Sequence, residues 1–293
     1  MSEATPDSRG RATSYALVMG AAVSWGTWSL MLRPAARLGP LAPELVPVVI
    51  QTVMSLVLVP LGLRERPGAP RSPRAWALLA ALALSSALNN WLFFRAMSLT
   101  TLAVAVLTHS LAPVLVTALA PWLFGERASR RTWVCLLGAL AGLTLLLEPW
   151  QSPARGLVAG AAAGAGSAVF YAFNMIAQKR LAGAFGPCEA VGYQTAMGVP
   201  LLALLVPSGG WSLTAGQAAL VGLAGLGPGA AASLAFIVGL RRLPASHTAT
   251  LVLLEPLVAV LLGVLVWHEP LTPVGALGGL VLFGAIAASV RAR

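Results

Sequence analysis
The chain alternates long apolar runs with short polar connections, and the lengths of those runs decide how it reads. Ten runs stand out, at residues 13–32, 43–63, 75–97, 101–124, 132–148, 156–178, 189–206, 215–239, 243–267 and 272–290. Each is close to the ~20 residues that a helix needs to cross a bilayer. Turn-forming clusters separate several of them, notably Arg66-Pro-Gly-Ala-Pro-Arg-Ser-Pro73, Gln151-Ser-Pro153 and Pro207-Ser-Gly-Gly210. The pattern predicts an all-α polytopic membrane protein of ten transmembrane helices, with no soluble domain and no low-complexity linker.

Composition removes the soluble alternative. Of 293 residues, 58% are apolar and 10% charged, with a mean hydropathy of +0.82; a soluble domain averages about 25% charged residues. Lys and Arg outnumber Asp and Glu by 19 to 9, a balance that in another chain would suggest nucleic acid. Here the basic residues stand in short groups between apolar runs, which is the arrangement of topology signals. With the N-terminus inside, one face collects Arg9, Arg11, Arg64, Arg66, Arg71, Arg74, Arg127, Arg130, Arg131, Lys179, Arg180, Arg241, Arg242, Arg291 and Arg293. The other holds only Arg33, Arg37, Arg95 and Arg155. This asymmetry predicts both termini in the cytoplasm. The polar tail, residues 1–12, leads into a first run with no A-x-A-like cleavage site, so that run is expected to be a retained span. Cys135 and Cys188 form no CxxC and are read as small buried hydrophobes, so no metal and no cofactor are expected.

The chain also repeats itself. Leu17-Val-Met-Gly-Ala-Ala22 returns as Leu157-Val-Ala-Gly-Ala-Ala162, and Gly39-Pro40 as Gly186-Pro187. Leu111-Ala-Pro-Val-Leu115 returns as Leu254-Glu-Pro-Leu-Val258, and Glu126 as Glu269. The units are 13–150 and 156–290, with five runs in each. An odd number of crossings turns the second unit upside down relative to the first, and inverted repeats of this kind build carriers with a site near the midplane.

In the second unit, Gly239-Leu-Arg-Arg-Leu-Pro-Ala-Ser246, Leu253-Leu-Glu-Pro-Leu-Val-Ala-Val-Leu-Leu-Gly263, Glu269-Pro-Leu-Thr272 and Gly275 resemble the second repeat of the EamA family. That family belongs to the drug/metabolite transporter superfamily. Ser24-Trp-Gly26, Arg95-Ala-Met97, Thr101, Pro113 and Gly125-Glu-Arg127 are similar to its first repeat. The resemblance implies two inverted five-helix halves around a central cavity, with the fifth and tenth helices outside it. It implies export of a small metabolite, such as an amino acid or derivative, by alternating access with proton exchange. The expected setting is a bacterial inner (plasma) membrane, with the chain acting as monomer or homodimer.

Residues that break the apolar pattern are the candidates for chemistry, because a charge at the bilayer centre costs roughly 2.5–3.5 kcal/mol on insertion scales. Glu255 is the sharpest: a carboxyl in mid-run, followed by Pro256, which removes a backbone hydrogen bond and tends to kink the helix. Hydrocarbon disfavours the charged form of an acid, so Glu255 is expected to exchange a proton as the site opens to either side. Pro113 is its repeat counterpart, and His109, four residues earlier, is expected to pair with Glu255 or relay its proton. Ser167, Tyr171, Asn174 and Gln178 fall at i, i+4, i+7 and i+11, one stripe of a helix. Thr27, Trp28, Gln51, Asn89, Asn90 and Ser233 complete the proposed substrate lining. The alternative reading of such polar groups is interhelical hydrogen bonding at about 0.6 kcal/mol each. Pro113, Gly227, Pro228 and Pro256 are the candidate hinges. Trp25 reads as an interfacial anchor, and Glu126 and Glu269 as helix-end partners of Arg127, Arg130 and His268. Gly156-x-x-x-Gly160-x-x-x-Gly164, Gly138-x-x-x-Gly142 and Gly275-x-x-x-Gly279 read as close-packing faces, the last two within the chain or between two copies.

Rival classes lack their signatures. His268-Glu-Pro does not continue to a metalloprotease HExxH, no GxSxG with a His occurs, and no P-loop supplies ATP drive. A single Glu in an asymmetric site does not suit a channel's rings of charge. An uncoupled facilitator, or a carrier of sugar-like or nucleotide-linked metabolites, is the closest alternative, but phosphate recognition calls for basic residues in the cavity. Only His109 and Arg95 stand within spans, Arg95 near an outer end.

Overall fold
A computed structural model describes residues 8–65, 71–151 and 156–291. Residues 1–7 of the tail, Arg66, Arg155, Arg293 and the turn stretches 66–70 and 152–153 lie outside them. The described residues are helical throughout, without strands. In chain order the helices are α1 Ser8–Gly26, α2 Ser29–Arg37, α3 Leu45–Gly62, α4 Pro73–Leu99, α5 Leu102–His109, α6 Ala112–Phe124 and α7 Arg130–Leu147. They continue with α8 Leu157–Arg180, α9 Pro187–Ala203, α10 Ala215–Ala224, α11 Ala232–Leu240, α12 Ala245–Val252, α13 Leu254–Trp267 and α14 Pro273–Arg291.

Nine helical runs among the described residues are long and apolar enough to cross a membrane. The predicted seventh run, 189–206, is the exception. It becomes α9, 17 residues long, or about 26 Å at 1.5 Å per residue. The first, fourth, eighth and ninth runs are not smooth rods. α1 gives way to α2 at Thr27–Trp28, α5 to α6 at Ser110–Leu111, and α12 to α13 at Leu253. Between α10 and α11 the chain widens into a π-helix, Gly225–Ala231, around Pro228. Proline has no N–H to give the i−4 carbonyl, and a wider turn is one way to absorb that loss.

The helices pack in pairs that run α3 with α9, α4 with α8, α7 with α14, α1 with α11, and α6 with α12. The α7–α14 pair explains Gly142 of the α7 motif, and on α14 it is Gly278, not Gly275 or Gly279, that makes the close approach. A Cβ on Gly142 would stand 2.5 Å from the Leu282 nitrogen, and one on Gly278 would stand 2.3 Å from the Leu146 nitrogen. Only glycine lets these backbones come so close, so this face is consumed inside the chain. Gly160 and Gly164 similarly admit Thr100 and Thr108 of the neighbouring segment.

One end of the bundle, which we call the basic end, carries the α3–α4, α6–α7, α8–α9 and α11–α12 connections. It is tied by carboxylates that bridge helices. Glu126 pairs with Lys179, and its second oxygen accepts from the Ala245 N–H at 2.7 Å, capping α12. Lys179 also donates to the Leu243 carbonyl at 2.7 Å. Glu65 accepts from the N–H groups of Cys188 and Glu189, each at 3.1 Å, at the start of α9. Glu189 in turn pairs with Arg71. At the opposite end Arg33 meets Glu269 at 2.6 Å, and Arg33 and Arg37 each lie 5.3 Å over the Trp267 ring.

These contacts correct the expected partners of Glu126 and Glu269. Arg127, Arg130 and His268 are near in sequence. Gly125, in the left-handed conformation at φ 69°, closes α6 immediately before Glu126, whose carboxylate meets the ends of α8 and α12. Trp25 is corrected as well: it packs on Phe236 at 5.0 Å between ring centroids, inside the bundle.

Candidate functional site
Four of the candidate residues, Thr27, Trp28, His109 and Glu255, stand at or beside the breaks in the helices. At the α1–α2 break, Thr27 turns its hydroxyl back onto the Ser24 carbonyl at 2.6 Å while its own N–H reaches the same oxygen at 3.1 Å. Competition of this kind shortens the turn and ends the helix. Gly26, just before it, is pressed against α13: a Cβ there would lie 2.6 Å from Val258 Cβ and 2.9 Å from the Glu255 carbonyl. Thr27 therefore spends its hydroxyl locally, and Trp28 begins α2 half-buried.

The α5–α6 and α12–α13 breaks share one design. Each is followed within the first turn by a proline, Pro113 or Pro256. The prolines leave the His109 and Val252 carbonyls without their usual i+4 donors. Glu255 thus stands in the first turn of a restarted half-helix, where unpaired N–H groups favour negative charge. Among the described residues no hydrogen bond or ion pair reaches its carboxyl. Glu65, Glu126, Glu148, Glu189 and Glu269 each hold at least one.

His109 faces α8. Its Nδ1 lies 2.8 Å from Ser167 Oγ, and Ser167 donates its single hydroxyl hydrogen to the Gly164 carbonyl at 2.7 Å. With that hydrogen used, Nδ1 is the donor to Ser167, and Nε2 is left as the basic nitrogen. Asn89 donates to the Ser167 carbonyl at 2.8 Å, so α4, α5 and α8 converge on one serine. The His109 ring is flanked by Phe93 at 4.7 Å and Tyr171 at 5.0 Å. The expected His109–Glu255 pair is not formed. Tyr171 lies beside the imidazole, its ring 5.0 Å from that of His109.

The rest of the proposed lining divides. Asn174 Oδ1 and Gln51 Oε1 are buried with no hydrogen-bond partner. Gln51 points to the α3–α9 contact, where a Cβ on Gly198 would lie 2.5 Å from its oxygen. Asn90 donates to its own helix at Ser86, 2.9 Å away. Gln178, last of the α8 stripe, turns to Gln194 of α9, so that stripe does not serve one cavity. Ser233 is half-buried on α11, just beyond the π-helix that holds Gly227 and Pro228. Two groups escaped the sequence reading. Ser167 stood in the stripe without a role. Tyr15 and His247, hydroxyl to Nδ1 at 2.7 Å, are 232 positions apart and carry no joint signal.

Glu255 stands where one broken apolar helix restarts and His109 where another ends, and sequence comparison gives the family. The profile of the EamA-like transporter family matches residues 12–148 and again residues 158–291. The chain belongs to the EamA-like transporter family. It is a transporter of the drug/metabolite transporter superfamily, a multi-pass membrane protein with two family repeats. It is 32% identical over 228 residues to YwfM of Bacillus subtilis, described as an uncharacterized transporter, covering 75% of each chain. It is 27% identical over 212 residues to an uncharacterized transporter of Archaeoglobus fulgidus, covering 71% of this chain and 74% of that one. A solved crystal structure shares the fold at a TM-score of 0.78, with 22% identity over 94% of this chain and 96% of its own.

Proposed function
We propose that this EamA-like transporter is a secondary carrier that exports a small zwitterionic or neutral metabolite, such as an amino acid derivative, in exchange for protons. Glu255 is the proton-binding group in this reading. The observation that carries it is the unpartnered carboxyl of Glu255 at the restart of a broken span. A carboxyl held there without a fixed counter-ion is free to bind a proton or a substrate ammonium in turn. Asn89, Asn174, Tyr171 and His109 offer the polar contacts, and Thr27, Trp28, Gln51, Asn90 and Ser233 stand at the margins.

In the same reading the chain crosses the membrane ten times as two inverted units, 13–150 and 156–290, with both termini in the cytoplasm. Two features support it. The α5–α6 break at Ser110 and the α12–α13 break at Leu253 are 143 positions apart, the spacing of the sequence repeat. The pairing of helices also suits a two-fold exchange of the halves. The third run meets the sixth as the eighth meets the first, while the second meets the seventh, the fourth the ninth and the fifth the tenth.

Purified protein in proteoliposomes, given a panel of radiolabelled amino acids with and without a pH gradient, tests the reading. Uptake of at least one panel member, stimulated by the gradient, is expected, and Glu255→Gln should abolish that stimulation. Wild-type transport by Glu255→Gln with unchanged pH dependence would remove Glu255 from coupling. Gradient-independent transport by the wild type would make the protein a facilitator.

A further inference from the structure
Besides Glu255, one other described carboxyl has no partner: Glu44. It stands at the N-cap of α3, yet its side chain caps nothing. It lines a recess between the start of α3 and the ends of α4 and α9, at the end of the bundle opposite the basic end. Arg95 lines the same recess, and neither charge forms an ion pair with the other or with any described residue. Trp91, Phe94, Ser98 and Leu202 supply the walls. The recess holds about 420 Å³, which suits a small-molecule site.

Apart from Glu255, the other described carboxylates are held by hydrogen bonds or ion pairs. Here an anion and a cation share one concave surface and are held apart, with aromatic faces beside them. We propose that this recess is an outer docking site for a small zwitterion bearing an apolar side chain. The ligand's ammonium meets Glu44, its carboxylate meets Arg95, and its side chain lies on Trp91 and Phe94. α4 links the recess to the central site: Phe94 follows Phe93, whose ring lies 4.7 Å from that of His109, and Asn90 lies one turn before Phe94. The docking site is then a station on the path to the central site. This inference goes beyond the carrier reading and is tested by binding alone.

The probe is radiolabelled L-phenylalanine, with unlabelled L-phenylalanine methyl ester, which lacks the carboxylate, and N-acetyl-L-phenylalanine, which lacks the ammonium, as competitors. Equilibrium binding is measured on the full chain in nanodiscs. Each charge-assisted contact is expected to contribute about tenfold, so wild type should bind phenylalanine at least about tenfold more tightly than either derivative. Glu44→Gln should erase discrimination against the N-acetyl compound while keeping that against the ester. Arg95→Gln should do the reverse, so each variant's retained preference reports that it is folded. Glu255→Gln should keep both preferences. The inference is overturned if wild type shows no saturable phenylalanine binding, if it binds the derivatives equally well, or if Glu255→Gln alone abolishes binding. Coupled transport in proteoliposomes stands or falls separately, on Glu255.

Discussion

Ser167 shows how much a single residue organises in this protein. Its hydroxyl receives His109 and its carbonyl receives Asn89, so it fixes which imidazole nitrogen faces the bundle interior. Ser167→Ala removes one interhelical bond, worth about 0.6 kcal/mol in a membrane protein, so the melting temperature in detergent should hardly change. The pH profile of transport should nevertheless shift, because His109 loses the partner that selects its tautomer. A variant with the wild-type profile would reduce His109 to scaffolding. Tyr171→Phe keeps the ring against His109 and deletes only the hydroxyl. It should weaken pH-gradient stimulation several-fold while leaving expression and melting intact, measured side by side with Ser167→Ala. The sequence named His109, Tyr171 and Glu255 because each is conspicuous in an apolar run. It could not name the partner His109 takes, since that depends on which helices are neighbours, and Ser167 is 58 positions from His109.

At the scale of the helices, the sequence read well where bilayer thickness sets the answer. The run 43–63 is α3 Leu45–Gly62, and 272–290 is α14 Pro273–Arg291. The breaks at Thr27–Trp28, Ser110–Leu111 and Leu253 were not legible as breaks, because a hydropathy run stays apolar across them and a proline shows only that a kink is near. Close packing leaves a sharper test. A Cβ on Gly142 would overlap the α14 backbone, whereas one on Gly138 would meet Ala285 at an ordinary 3.6 Å. Gly142→Val should therefore destabilise the fold by about 1–3 kcal/mol, as overpacking does, and Gly138→Ala should be nearly neutral. Thermal melting of both in the same detergent decides it, and equal losses would mean that α7 and α14 are not held by this face. Gly26→Ala belongs with them, since its new methyl must displace Val258 or the backbone of Glu255. It should cost transport more than stability.

For the whole molecule the decisive asymmetry lies between the two ends. The basic end is tied by Glu65 and Glu126, carboxylates that each hold two or more segments, with a recess beside Arg11 and Arg241. The other end has the recess at Glu44 and Arg95, a Glu148–Thr272 bond and a half-exposed Arg33–Glu269 pair. For a carrier that alternates between two openings, contacts at one end set the population of the state open there. The Glu126–Lys179 pair is largely buried, and charged hydrogen bonds of that kind contribute about 1.5–3 kcal/mol. Lys179→Met should therefore raise the population open at the basic end by about tenfold or more, since each 1.4 kcal/mol is about a factor of ten. Cys188 is a native reporter, half-buried at that end with its N–H on Glu65, while Cys135 is buried on α7. Labelling by a membrane-impermeant maleimide should be slow in the wild type and accelerate at Cys188, not Cys135, in Lys179→Met. Arg33→Met is the control, because an exposed pair contributes only about 0–1 kcal/mol, and it should leave Cys188 labelling at the wild-type rate. Equal acceleration by both variants would indicate general loosening; no acceleration by Lys179→Met would mean that the bridges at the basic end support the fold without gating it.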